Sequence, residues 1–220
     1  MQSKQLSLVH LVQYPASHEP AGDGTFPTIV ALHGRGSNER DLIGLAPYLP
    51  QQVLWISPRG PISLGPDAYE WFQLIQVGRP DPARLANTLD LLDGFLEEVK
   101  QHYPVDPEKL YLLGFSQGTV VSLSYAVSMP ERVAGVIAQS AYLPLESGLQ
   151  FDEVGIRNKP FLLTHGIDDV VLPVDWARRS RDKLQDLGAN VEYHELDMGH
   201  EVTKQSLEVI AAWLERQLAP

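Results

Sequence analysis

"KLYLLGFSQGTVVSLSYAVSMP", residues 109–130, decides the fold. Its first part is a nearly continuous apolar run, the pattern of a strand covered on both faces. Its second part reads as a helix and ends before Pro130. Ser116 stands at the joint, between Gly114 and Gly118. Outward from this unit the alternation of strand and helix repeats. "LSLVHLVQY" (6–14), "TIVALHG" (28–34), "VLWISP" (53–58), "VAGVIAQSAY" (133–142), "FLLTHG" (161–166) and "NVEYHEL" (190–196) read as strands. "RDLIGLAPYL" (40–49) reads as a short helix, and 83–103, 174–188 and 202–218 read as longer ones, 174–188 being stopped by Gly188. Apolar inner strands alternating with helices predict an α/β domain with a mostly parallel central sheet and helices on both faces. Residues 59–82, rich in Gly and Pro, are too long for a plain connector and are expected to take part in binding.

The 220 residues fit a single domain, 1–220, large enough to bury roughly 70% of the unfolded surface. A formal net charge of −11 argues against nucleic acid and anionic lipid surfaces as partners. The absence of cysteine excludes disulfides, thiolate metal sites and a cysteine nucleophile. The N-terminal twenty residues lack the apolar core and cleavage site of a signal peptide, and nothing approaches the run of about 20 apolar residues that spans a bilayer. The expectation is a cytoplasmic protein with no membrane insertion.

In a parallel sheet the working groups collect at the carboxyl ends of the strands. Here those ends are His33-Gly-Arg-Gly36, Gly114-Phe-Ser-Gln-Gly118, His165-Gly-Ile-Asp-Asp169 and Asp197-Met-Gly-His200. Gly-x-Ser-x-Gly between strand and helix is the signature of a nucleophile elbow, with glycines expected where side chains would clash with the strained serine. The next residue opens the helix, so the Gln117 N–H is a free donor near the positive helix end. A serine hydroxyl needs a base to take its proton, and histidine, ordinarily titrating near pH 6.5, suits that task. In this arrangement the acid and then the histidine follow the serine in the chain. His165 precedes any plausible acid and His194 lies inside a strand, which leaves His200, in a loop before the last helix. Asp168 and Asp169 both qualify as the acid that orients the imidazole, and spacing does not separate them. The glycine-rich 33–36 loop suits a second oxyanion donor, the Arg35 N–H, beside that of Gln117. His33 reads as a brace for that loop. A phosphate cradle lacks its motif here, and no pair of histidines has metal-ligand spacing on a helix, so neither a cofactor nor a metal is expected.

With "LHGRGSNERDL", "PRGP", "EWF", "GFSQG", "HGIDDVVLP" and "MGHEV" in this order over nearly the whole chain, the sequence resembles the phospholipase/carboxylesterase family of α/β hydrolases. That group includes acyl-protein thioesterases and small bacterial carboxylesterases. The resemblance implies the α/β-hydrolase fold and places the acid at the fifth residue counted from His165, which is Asp169. Many members have proline next; here Val170 follows and an extra aspartate precedes. It further implies a small-molecule carboxylic ester or thioester substrate with a small or linear acyl part, and a possible homodimer. Leu64, Trp71, Phe72 and Ile75 are the candidate acyl wall, with the alternative that Trp71 and Phe72 are core. The expected activity is that of a cofactor-independent serine esterase. An acyl-protein or acyl-CoA thioesterase, a lysophospholipase and a noncatalytic binding protein on the same fold are the rivals.

Overall fold

A computed structural model describes residues 4–15, 24–140 and 142–219. Seven strands form one sheet in the order β1-β3-β2-β6-β7-β8-β9, with β1 antiparallel to its neighbour and the others parallel. They are β1 (His10–Gln13), β2 (Phe26–Leu32), β3 (Leu54–Pro58), β6 (Val105–Phe115), β7 (Gly135–Gln139), β8 (Pro160–Gly166) and β9 (Asn190–Leu196).

Successive side chains on each central strand go to opposite faces, and both faces are dry. Val30, Leu112, Val136 and Leu163 face one core, shared with α1 (Pro82–His102), α2 (Gln117–Ser128) and α3 (Val174–Asp186). Ile29, Leu113, Ile137 and Leu162 face the other, shared with α4 (Lys204–Leu218) and a 3-10 turn at Leu42–Tyr48. Double coverage explains why these strands read as unbroken apolar runs. It also leaves the carboxyl ends of β2, β6, β8 and β9 as the places where polar side chains can gather.

Helix ends follow local chemistry. Asp81 caps α1 by accepting the Arg84 N–H at 3.0 Å, with Pro82 at the first helical position, where its missing N–H costs nothing. Thr203 and Ser206 form a reciprocal cap that starts α4 just past the His200 loop.

Some elements differ from the sequence expectation. The first strand shortens to His10–Gln13 because it pairs along one side only, as an edge. The expected helix at 40–49 is a 3-10 turn containing Pro47, which cannot supply an α-helical N–H. The Gly/Pro-rich 59–82 segment holds a hairpin, β4 (Ile62–Gly65) with β5 (Ala68–Glu70). β7 ends at Gln139; Ala141, in the strand expected at 133–142, lies outside the described residues. Among the described residues no helix is long and apolar enough to cross a membrane.

Candidate active site

The elbow is built by contact with its neighbours. Ser116, between β6 and α2, has φ 51° and ψ −118°, a left-handed conformation that costs a non-glycine residue about 1–3 kcal/mol. It is held by a Ser116 N–H bond to the Gln139 carbonyl at 3.1 Å and by the Thr119 and Val120 N–H groups, which donate to the Ser116 carbonyl. The flanking glycines sit where backbones approach closely. A Cβ on Gly118 would collide with the Leu32 carbonyl of β2, and one on Gly114 would stand 2.5 Å from the Thr119 backbone. Glycine is required at both positions because α2 starts against the sheet and the backbones come this close.

Three loops then converge. The Ser116 Oγ lies 2.9 Å from His200 Nε2, and His200 Nδ1 lies 2.7 Å from Asp169 Oδ2. A carboxylate only accepts, so Nδ1 carries the imidazole proton and Nε2 is left to accept from the serine hydroxyl. The other oxygen, Asp169 Oδ1, accepts the Val171 and Leu172 N–H groups, both at 2.8 Å. Asp168 is exposed, whereas Asp169 is buried and bonds His200, so the loop brings Asp169 and not its neighbour to the ring. Gly166 permits the approach: a side chain there would strike the Met198 and Gly199 carbonyls of the His200 loop. The Phe115 ring supports the imidazole, centroid to centroid 5.0 Å. His194 pairs with Glu192 on the β9 strand, outside this cluster.

His165 has a place that sequence order does not reveal. It is fully buried, its Nε2–H donates to the Leu172 carbonyl at 2.9 Å, and the same nitrogen lies 3.3 Å from Asp169 Oδ2. It therefore anchors the turn that carries Asp169.

The 33–37 loop is held at several points. Gly36 N–H donates to the Tyr69 carbonyl and Tyr69 N–H to the Ser37 carbonyl, so the loop pairs with β5. Arg35 Nε reaches the buried Glu70 carboxylate at 2.8 Å. Burial pushes the His33 pKa below the ordinary histidine value, keeping the ring neutral. Its Nδ1–H donates to the Gly34 carbonyl at 2.7 Å and its Nε2 accepts the Gly60 N–H at 2.9 Å. Arg59 grips Glu39 with two hydrogen bonds of 2.6 and 2.7 Å, and this holds the Glu39 carboxyl below the usual carboxylate range. Backbone donors fixed this way need no reorganisation when charge develops nearby.

The Gln117 side chain makes a further brace. Its Oε1 accepts the Trp71 N–H and its Nε2 donates to the Phe72 carbonyl, both at 2.8 Å, while the Trp71 indole donates to the His33 carbonyl at 2.8 Å. The residue after Ser116 thus ties the elbow to the 71–72 segment and, through Trp71, to the 33–36 loop.

A cavity of about 260 Å3 opens over Ser116, with Arg35, Gln117 and His200 on its lining. Its apolar walls are Phe72, Leu74, Val77, Val120, Tyr142 and Leu172. Of the four expected wall residues Phe72 takes part. Trp71 is 1% exposed and packs into the core, its polar atoms used for bracing. Leu64, 41% exposed on the hairpin, and Ile75, 68% exposed, face solvent away from this wall. Burial pushes the Tyr142 phenol up to about 12, so its hydroxyl keeps its proton at neutral pH.

A parallel sheet flanked on both faces, with a strained serine at a strand-to-helix turn and a histidine and a carboxylate on later loops, defines an α/β hydrolase. The model of the phospholipase/carboxylesterase family matches residues 17–218, and the chain belongs to that family. Acyl-protein thioesterase 1 homolog 1 of Dictyostelium discoideum is 25% identical over 205 residues, 87% of this chain and 90% of that protein. The crystal structure of esterase PE8 superposes with a TM-score of 0.80 at 30% identity, covering 98% of this chain and all of that one (100%). The carboxylesterase of Bacillus cereus superposes with a TM-score of 0.84 at 23% identity, covering 96% of this chain and 95% of its own, a likeness of fold.

Proposed function

We propose that this hydrolase is a carboxylesterase working through an acyl-serine intermediate, with Ser116 as nucleophile, His200 as base and Asp169 as the group orienting the ring. The observation that carries the reading is the unbroken run from Ser116 Oγ to His200 Nε2 at 2.9 Å and from His200 Nδ1 to Asp169 Oδ2 at 2.7 Å, beside an open cavity. Ser116 Oγ bonds to the acyl carbon as its proton passes to His200 Nε2, and the carbonyl electron pair moves onto oxygen. The N–H groups of Arg35 and Gln117 are the donors assigned to that oxyanion. The tetrahedral adduct collapses, the C–O bond to the alcohol breaks, and the Nε2 proton leaves with the alkoxide. Water then attacks the acyl-serine, giving its proton to Nε2, and the acid departs as that proton returns to Oγ. Asp169 accepts from Nδ1–H throughout and stabilises the transient imidazolium.

A thioester would follow the same steps with a thiolate as leaving group, and the name of the Dictyostelium relative favours testing it. The test is a panel of short aryl esters, acyl thioesters and a lysophospholipid, run on the native protein and on Ser116→Ala. Turnover of short esters that falls about 10⁴- to 10⁶-fold in the variant supports the reading. Undiminished turnover in the variant removes Ser116 from the chemistry.

A further inference from the structure

Val77 and Tyr142, which wall the cavity over Ser116, also line an adjacent pocket of about 260 Å3, a second lobe bounded by residues 76–79 and by Trp176 and Arg179 of α3. The walls of this lobe are fixed by packing. Trp176 meets Tyr142 edge-on, with centroids 5.0 Å apart and planes at 77°. The Gly78 N–H donates to Tyr142 Oη at 3.0 Å. Gly78 itself lies so close to the Trp176 ring that any side chain there would collide with it, and its φ of 84° suits glycine.

The charge in this lobe runs against that of the molecule. The chain carries −11, yet the charged side chains lining the lobe are Arg79, Arg179 and Glu146, two guanidiniums against one carboxylate. Arg79 and Glu146 are both largely exposed and only loosely paired, Nε to Oε2 3.8 Å. Arg179 differs from the other arginines. On the same helix Arg178 binds Glu195 and Arg181 binds Asp182. Arg35, Arg40, Arg59, Arg132 and Arg216 each meet a carboxylate, Arg84 meets the Gln73 side chain, and Arg157 meets a carbonyl. Among the described residues, Arg179 is the arginine whose guanidinium has no partner. Tyr142 adds a neutral donor: its oxygen already accepts from Gly78, which leaves the O–H to donate.

We infer that the second lobe is an anion subsite, and that the preferred substrate is a carboxylic ester carrying a carboxylate or phosphate placed to reach Arg79, Arg179 and the Tyr142 hydroxyl while its ester carbonyl sits at Ser116. This rests on the esterase reading above and narrows it. The apolar walls around Ser116 hold the short linker, and the guanidiniums supply the forked donors that planar or tetrahedral oxyanions match. Because the lobe is open to water, each arginine contributes modestly, about five- to tenfold in kcat/KM.

The experiment compares matched aryl esters in two arms. In the first, 4-nitrophenyl hemiesters of dicarboxylic acids of increasing length are set against 4-nitrophenyl alkanoates of equal length, placing the anion on the acyl side. In the second, the acetyl ester of 4-hydroxybenzoate is set against that of 4-hydroxybenzamide, placing it on the alcohol side. The readout is the ratio of kcat/KM for the anionic ester to that for its neutral match, in the native protein, Arg179→Gln and the Arg79→Gln/Arg179→Gln double variant. In one arm the ratio is expected to fall about five- to tenfold in the single variant and further in the double. Raising ionic strength should shrink the native ratio toward that of the variants. Ratios that stay the same across all three proteins in both arms, with neutral esters turned over, overturn the anion subsite and leave the esterase reading standing. Failure to turn over any neutral or anionic ester overturns the esterase reading, and the subsite with it.

Discussion

Replacing Asp169 by asparagine probes the site in a way that can be worked out from hydrogen-bond directions alone. Asp169 receives donors on both oxygens: Val171 and Leu172 N–H on Oδ1, and His200 Nδ1–H on Oδ2. An asparagine must turn its NH2 to one side or the other. Facing Oδ1, it would oppose two backbone donors at 2.8 Å that the turn cannot move; facing Oδ2, it opposes the His200 N–H, on a ring that can change tautomer, and nears His165 Nε2, whose proton is directed to the Leu172 carbonyl. The second costs less, so the amide oxygen stays on the backbone and the NH2 donates to Nδ1. The His200 proton then shifts to Nε2, which can no longer accept from Ser116. A wrong tautomer in an otherwise intact site lowers kcat by about 10⁴-fold, or about 5 kcal/mol of barrier. Fold and substrate binding should survive, so KM changes little and the melting temperature stays within a few degrees. Asp168→Asn, at an exposed position, is the control and should keep kcat within about twofold. Steady-state kinetics on a short aryl ester decides. A loss below tenfold in Asp169→Asn, or an equal loss in both variants, would refute the assignment of the acid.

Other consequences are independent of this one. Gln117→Ala keeps the backbone N–H but strands the Trp71 N–H and Phe72 carbonyl, so urea unfolding should show a loss of about 2–4 kcal/mol; an unchanged midpoint would contradict the bracing role. Ser116→Gly relieves the left-handed strain that Ser116→Ala retains, and it should melt several degrees above the alanine variant, with both expected to be inactive; an equal or lower Tm would count against stored strain. His165→Leu removes the donor to the Leu172 carbonyl and should lower kcat more than it raises KM; equal kcat in variant and native protein would show the turn holds itself. Glu39 is a carboxylate whose folded pKa is depressed by Arg59, so the pair contributes fully above the ordinary glutamate range and is lost as pH falls through the lower folded value. The stability gap between native protein and Glu39→Gln should therefore be constant near neutrality and narrow below about pH 4. A gap that widens in acid would reverse the sign and reject the pairing.

The sheet is legible in the sequence because its inner strands are covered twice, and double cover leaves an apolar run with few interruptions. The edge strand is less so, since Val9 and Leu11 are apolar yet exposed. The β4–β5 hairpin is hidden by Gly60, Pro61, Gly65 and Pro66, which read as loop whether or not a short ladder forms between them. Ser116 and His200 could be found from strand ends and chain order. What separates Asp168 from Asp169 is the direction of two N–H groups in a turn, which spacing does not encode. The cavity wall is the least readable part. Leu64 and Ile75 have the apolar character of a lining but the 59–82 segment turns them outward, while Trp71 is consumed by the brace to Gln117 and His33. Tyr142, Val77 and Leu172 enter the wall from three separate segments, and no local pattern in the sequence marks them as neighbours.

The most direct measurement is mass-spectrometric mapping of the covalent adduct formed when the folded protein meets a fluorophosphonate or an acid-quenched aryl ester. One adduct per chain, on the peptide bearing Ser116 and missing in Ser116→Ala, is the predicted result. Modification elsewhere, or none while ester turnover persists, would contradict an acyl-serine at the elbow.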